Sequence, residues 1–224
     1  MRRYLRVVGA VVWKDLSAEL RSRETFSAMV VFSLLMVLVF SIALELNRGA
    51  RESTAAGVLW ATALFSGTLG LNRGLGREQD RGTLEGLLLA PADRSALFFG
   101  KFLSSWALIL AVQIVTVPVL TVLYNFNLAE PLVILSLVLG TLGYTGVGTL
   151  LSAVSAQTRA RDVLLPILLL PVSVPVLMAG VQSSSAALAG TPWNEFSIWY
   201  SLLVAYDVIF LAVAVMVFEA VVGD

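Results

Sequence analysis

The chain reads as six long apolar blocks divided by shorter polar ones. A bilayer core of about 30 Å takes about 20 helical residues at 1.5 Å each. Segments 25–46, 53–72, 95–124, 131–156, 163–181 and 198–222 meet that length and predict six membrane-spanning helices. Residues 1–24 hold no apolar run long enough to span. As a helix they set Leu5, Val8, Val12 and Leu16 on one face and Arg3, Lys14 and Arg21 on the other, the pattern of an amphipathic helix lying at the membrane surface. Glu19 falls inside the apolar arc and breaks that pattern. A secretory signal peptide is the competing reading, but Thr25–Leu44 is longer than its apolar region and no small-residue cleavage site follows.

The blocks differ in ways that predict their places. Span two is the least apolar and carries Gly57, Trp60, Gly67 and Gly70, small residues that let neighbouring helices approach and so put it inside the bundle. Span three contains Pro118, and Asn125–Glu130 makes a polar turn before span four, where Gly148, Ser152 and Ala156 recur four apart as a packing stripe. Span five holds Pro166, Pro171 and Pro175, each removing a backbone donor. It is either a broken or re-entrant segment beside an internal pathway, or a kinked but ordinary span. Gln182–Glu195 reads as a loop, with Trp193, Trp199 and Tyr200 as interfacial anchors. With no linker, low-complexity tract or internal repeat, the expectation is one all-α membrane domain over residues 1–224.

Composition agrees: 58% of residues are hydrophobic and 13% charged, against about 25% charged in soluble domains, and the mean hydropathy is +0.88. Net charge is zero, but its distribution orients the chain. Six Lys/Arg fall in the N-terminal segment, five in the stretch after span two and two (Arg159, Arg161) after span four, leaving only Arg48 and Arg51 for the other side. Basic residues concentrate on the cytoplasmic side. Both termini and residues 73–94 are therefore expected on the cytoplasmic side of the membrane.

The longest polar interruption, Arg73–Lys101, carries Arg73, Arg77, Arg81, Arg94 and Lys101 with Glu78, Asp80, Glu85 and Asp93. Such a mixed surface suits a protein partner better than nucleic acid. Within it, Gly82 breaks the preceding structure, Thr83 can cap and Pro91 stops continuation, so Thr83–Leu89 predicts a short helix with Leu84, Leu87 and Leu88 on one side and Glu85 among them. It is shaped to dock.

Candidate chemistry is sparse. The chain has no Cys and no His, which removes disulfides, thiolate metal sites and the commonest general base and haem ligand. Gly100-Lys101 lacks the glycine of a phosphate-binding loop five residues earlier, and Gly74-x-Gly76 reads as a turn. Asp207 is the one carboxylate deep within a span, where ionisation costs about 2.5 to 3.5 kcal/mol. It should face the bundle interior, as a proton or substrate contact or as a buried, hydrogen-bonded structural acid. Glu45 and Glu219 lie near span ends, and Trp and Tyr residues in such spans are more often belt anchors or packing than a ligand site, with Trp60 in the glycine-containing second span the aromatic candidate to test. A bundle without a catalytic constellation needs an external energy source, and an ATP-hydrolysing partner is the natural one.

Three stretches carry a family resemblance: GVLWATALFSGTLGLNR (57–73), the E-x-D-x-G-T-L-E-x-L-x-L-x-P run from Glu78 to Pro91 followed by Gly100-Lys101, and LLPILLLPVSVPVL (164–177). With the length, six spans and basic N-terminal helix, the whole chain resembles the CcmB family, permease subunits of the cytochrome c maturation haem exporter. The middle run occurs more loosely in other ABC-2-type permeases; the combination is more specific. The resemblance implies an ABC-2-type fold like that of type V exporters and a non-catalytic permease, two copies with two CcmA-like ATPases that hold the Mg-ATP. It also implies association with CcmC and CcmD and, indirectly, with the haem chaperone CcmE. Glu78, Asp80, Gly82, Thr83, Leu84, Glu85, Leu87, Leu88 and Pro91 would then form the ATPase-coupling element, and Trp60, Pro166, Pro171, Pro175 and Asp207 would lie along a pathway. Haem is expected as substrate, translocated or released on its chaperone, with no cofactor held by this chain. A different ABC-2-type exporter, of lipid, polysaccharide or drug, and a non-transporting assembly scaffold are the alternatives.

Overall fold

A computed structural model describes residues 2–44, 51–80, 93–156, 158 and 160–221. Among these, seven helices follow in order: α1 (Arg2–Ser22), α2 (Glu24–Leu44), α3 (Arg51–Asp80), α4 (Arg94–Tyr124), α5 (Pro131–Ala156), α6 (Arg161–Leu188) and α7 (Trp193–Val221). The last six are long and apolar enough to cross a membrane.

Side-chain pairings fix the direction of each helix. Ser33 meets Thr116 at 3.1 Å and Ser41 meets Tyr124 at 3.3 Å, a constant offset that makes α2 and α4 parallel. Trp60 lies against Gly140 and Leu71 against Gly148, so α3 and α5 run together, while Tyr200 reaches Leu132 and Asp207 reaches Gly143, so α7 joins them. Against these, α6 runs antiparallel: Trp60 pairs with Ser184 at its end and Asn72 with Asp162 at its start. The alternation brings the start of α2 and the end of α7 to one end of the bundle. Arg73 approaches Glu24 at 3.9 Å at that same end.

Burial follows the small residues. α3 and α5 form the centre, with 72% and 67% of their apolar cores buried against 17% in α2 and 28% in α7. Apolar burial does not drive association in lipid, so the inner helices are those whose glycines and hydroxyls permit close packing and interhelical hydrogen bonds. The outer helices each show a one-sided stripe, as in Thr25, Met29, Ser33 and Val37 of α2. Their other faces, such as Leu35, Ile42, Ile114, Val122, Ile167 and Val208, are exposed and apolar, fit for lipid.

Span five follows the second of its two readings: α6 is one continuous helix through Pro166, Pro171 and Pro175, and three other expectations are corrected. Pro171 and Pro175 lie on its exposed side. α6 also continues beyond residue 181 to Leu188, because the buried stripe of Ser173, Val176 and Ala179 goes on through Ser183 and Ser184. It ends where Gly190 takes a left-handed φ of 69° and Thr191 donates its amide to the Ala186 carbonyl at 3.0 Å. α3 runs through Gly74 and Gly76 to Asp80 instead of turning; each glycine costs about 1 kcal/mol of helix propensity but keeps its backbone donor. Tyr200 is no interfacial anchor but a buried residue of the core.

Candidate functional site

The tightest joint of the bundle forms around Trp60. Its side chain is wholly buried, and Gly140 of α5 and Gly180 of α6 lie so close to the indole that a methyl group on either would overlap it. Absence of a Cβ at both positions lets three helices meet on one aromatic ring. The indole Nε1 donates to Ser184 Oγ at 3.0 Å, which satisfies a polar handle with no water to turn to.

Two tyrosines fasten the same helices above and below. Tyr144 of α5 donates to the Leu64 carbonyl of α3 at 2.8 Å and lies 2.7 Å from Thr68 Oγ1, and Gly67 leaves room for its ring. Tyr200 of α7 donates to the Leu132 carbonyl at 2.8 Å and accepts from Ser136 Oγ at 2.9 Å, and Ser136 in turn lies 2.9 Å from Ser183 Oγ of α6. A third link, Tyr206 to the Val172 carbonyl at 3.1 Å, joins α7 to the proline-containing stretch of α6. These polar groups act as fasteners between helices.

Asp207 faces the bundle interior, as expected, and is 6% exposed. Gly143 provides its seat: a side chain there would collide with the carboxylate and with the Tyr206 ring. Its Oδ1 has no hydrogen-bond partner among the described residues. Gln113 of α4 is likewise buried with both amide atoms unpaired among those residues.

A second joint binds α1 to α4. Gly100 forms a notch for Val11, since a Cβ there would stand 2.6 Å from the Val11 Cβ. Beside it Lys101 Nζ donates to Asp15 Oδ2 at 2.8 Å, and Ser104 Oγ donates to the same oxygen at 3.2 Å. The Lys101 side chain is 8% exposed and that of Asp15 20%, so the pair is largely out of water. Val8 and Val11 complete the docked face of α1. Leu5, Trp13 and Leu20 stay exposed on a different face. Glu19, the misfit of the amphipathic pattern, accepts the Phe26 amide at 2.8 Å and so caps the first turn of α2.

Of the residues expected to lie along a pathway, Trp60 and Asp207 are both interior and meet α5 at Gly140 and Gly143, about one turn apart, Pro166 is half-buried, and Pro171 and Pro175 face outward. Glu78 and Asp80 fall in the last turn of α3. Gly82, Thr83, Leu84, Glu85, Leu87, Leu88 and Pro91 lie outside the described residues. Sequence reasoning missed Tyr144, the Ser136–Ser183–Tyr200 chain and the Asp15–Lys101 pair. The first two were signalled only as hydroxyl-bearing residues at helical spacing in apolar spans, and the pair by no local pattern, since its members stand 86 residues apart.

Comparison with known proteins places this architecture. The family described as CcmB protein matches residues 6–223, from the docked helix α1 through the end of α7. The chain belongs to the CcmB family. This CcmB-family chain is 27% identical over 207 residues to heme exporter protein B of Bradyrhizobium diazoefficiens, with 92% of each chain covered. It is 28% identical over 182 residues to heme exporter protein B of Paracoccus denitrificans, covering 81% of this chain and 84% of that one. The protein of the same name from Pseudomonas aeruginosa is 25% identical over 186 residues, 83% of each chain. Identity at this level, spread over so much of each chain, matches a whole membrane bundle and not an isolated motif.

Proposed function

We propose that this CcmB-family chain is the non-catalytic membrane subunit of a haem exporter that serves cytochrome c maturation, worked by a separate ATPase. The observation that carries the reading is the family match over residues 6–223, with relatives named heme exporter protein B. The fasteners around Trp60 suit a permease: they hold α3, α5 and α6 together by shape and hydroxyl groups, so the bundle responds to force applied elsewhere.

In this reading the basic end of the bundle faces the cytoplasm of the inner membrane, and the segment from Glu78 to Pro91 receives the partner. Closure of two CcmA-like ATPases on Mg-ATP displaces that segment and, with it, α3 and α4 of two permease copies. CcmC, CcmD and the chaperone CcmE handle the haem. Without His or Cys, axial ligation on this chain falls to Met or Tyr, so haem passes as substrate and is not held as a cofactor. A stoichiometric haem spectrum from the isolated subunit would overturn that part.

The test is deletion of the gene with assay of holocytochrome c by haem-stained gel. Loss of all c-type holocytochromes, restored by the gene in trans, is the expected outcome. Normal holocytochromes with loss of a lipid, polysaccharide or drug phenotype would point to another ABC-2-type exporter.

A further inference from the structure

The joint between α1 and α4 is not explained by membrane insertion alone. A helix lying at a membrane surface needs only an apolar face toward lipid, and Leu5, Trp13 and Leu20 provide one. Yet α1 also carries a second, separate face given over to α4. Val8 and Val11 are buried there, Val11 fills the Gly100 notch, and Asp15 receives both Lys101 Nζ at 2.8 Å and Ser104 Oγ at 3.2 Å.

Each part of this contact favours one fixed geometry. The glycine notch sets the distance between the helices, because a side chain at residue 100 would push them apart. The ion pair sets the register: Lys101, largely buried, reaches across to Asp15 Oδ2, while Asp15 Oδ1 also meets Lys14 Nζ of its own helix at 3.3 Å, so the contact that ties the two helices is the one made by Lys101. At its far end α1 is tied again, where Glu19 Oε1 accepts the Phe26 amide at 2.8 Å and the chain turns through Arg23 at a φ of 54°. α1 is thus held at two points, to the start of α4 and to the start of α2.

We propose that α1 and residues 94–104 of α4 form one rigid unit, with Asp15 and Lys101 as positioning residues that carry displacement of the start of α4 to the membrane surface. The proposal rests on the reading of the chain as an ATPase-driven permease. In that setting a partner pressing on the polar segment before α4 moves α1 with it, so the surface helix travels with the working stroke and does not float beside it.

The chain has no native cysteine, which permits a clean crosslinking experiment in the whole complex. Asp15→Asn and Lys101→Gln, each alone, are expected to leave inserted chain and bound ATPase at normal levels. Holocytochrome c per inserted chain should fall about ten-fold, the response to a bias of about 1.4 kcal/mol on a two-state equilibrium, while ATP hydrolysis continues. The exchanged pair Asp15→Lys with Lys101→Asp should recover most of the output. The second arm is Val11→Cys with Gly100→Cys, which reaches disulfide geometry if the helices part by about 1 Å. Oxidised, this pair should keep the output of its reduced form.

Full output per inserted chain from the single variants would overturn the proposal. So would loss of inserted chain in strict proportion to output, which marks a merely structural pair, or an oxidised crosslink that blocks output, which means α1 must leave α4. If output of the unaltered protein proves independent of the ATPase, the functional reading fails instead; the crosslink still reports whether the two helices separate.

Discussion

Gly140→Ala is the sharpest probe of the bundle. A methyl group at residue 140 would overlap the Cη2 and Cζ3 edge of Trp60, a rigid ring already enclosed by Gly180 and fixed by its bond to Ser184. Overpacking of this kind costs about 1 to 3 kcal/mol. Trp60→Leu errs in the other direction. It deletes the bond to Ser184, worth about 0.6 and up to about 1.7 kcal/mol inside a membrane bundle, and opens a cavity. Large-to-small changes of this size cost about 3 to 5 kcal/mol in soluble cores, and the lower end applies here because lipid supplies no water-driven transfer term. In the double variant the smaller side chain leaves space for the methyl group, so the overpacking cost disappears. The two changes must therefore couple by about 1 kcal/mol or more, with the double variant more stable than the sum of the singles. Unfolding of the purified chain in bicelles, titrated with denaturing detergent, measures all four corners of the cycle. Additivity to within about 0.5 kcal/mol would refute the assignment of Gly140 as a seat for Trp60.

Other consequences follow from separate parts of the chain. Asp207→Asn keeps the shape that Gly143 accommodates and is expected to leave folded yield and holocytochrome c near normal, whereas Gly143→Val should abolish both; a clean loss of output at normal yield in Asp207→Asn would assign the acid a transport role. Glu19→Ala removes the side-chain cap of α2 and should lower thermal stability by about 1 kcal/mol, read as a shifted midpoint in detergent, with Glu19→Gln intermediate. Tyr144→Phe deletes the bond from α5 to the Leu64 carbonyl and should cost about 0.6 to 1.7 kcal/mol in the same assay. Glu85→Lys, in the segment proposed to meet the ATPase, should release that partner on co-purification while the chain stays inserted; unchanged co-purification would count against the docking role.

Much of the fold was legible because lipid imposes a simple rule. Uninterrupted apolar length marks a span, and all six appear among the described helices. The interior place of span two followed from its glycines, and the stripe through Gly148 and Ser152 meets Leu71 as its spacing implied. What escaped were features settled by tertiary contact. The QSSSAAL stretch looks like a loop by hydropathy, yet Ser183 and Ser184 are drawn into helix α6 by Ser136 and Trp60. Proline left two readings open for a related reason: on an outward face of a helix its missing donor does not force a break, so the count of prolines said less than their side. Lys101 was counted among the loop cations, but its partner lies 86 residues away in the chain, a distance no local pattern spans. Glu19 looked like an error in an amphipathic helix because its task lies in the next helix.

The proposed working of this bundle by a separate nucleotide-driven motor for haem delivery can be read from holocytochrome c in cells that carry this chain intact beside an ATPase partner able to bind ATP but not hydrolyse it. Normal insertion, a co-purifying partner and no holocytochrome c are expected. Holocytochrome c at the level of cells with the active ATPase would contradict it.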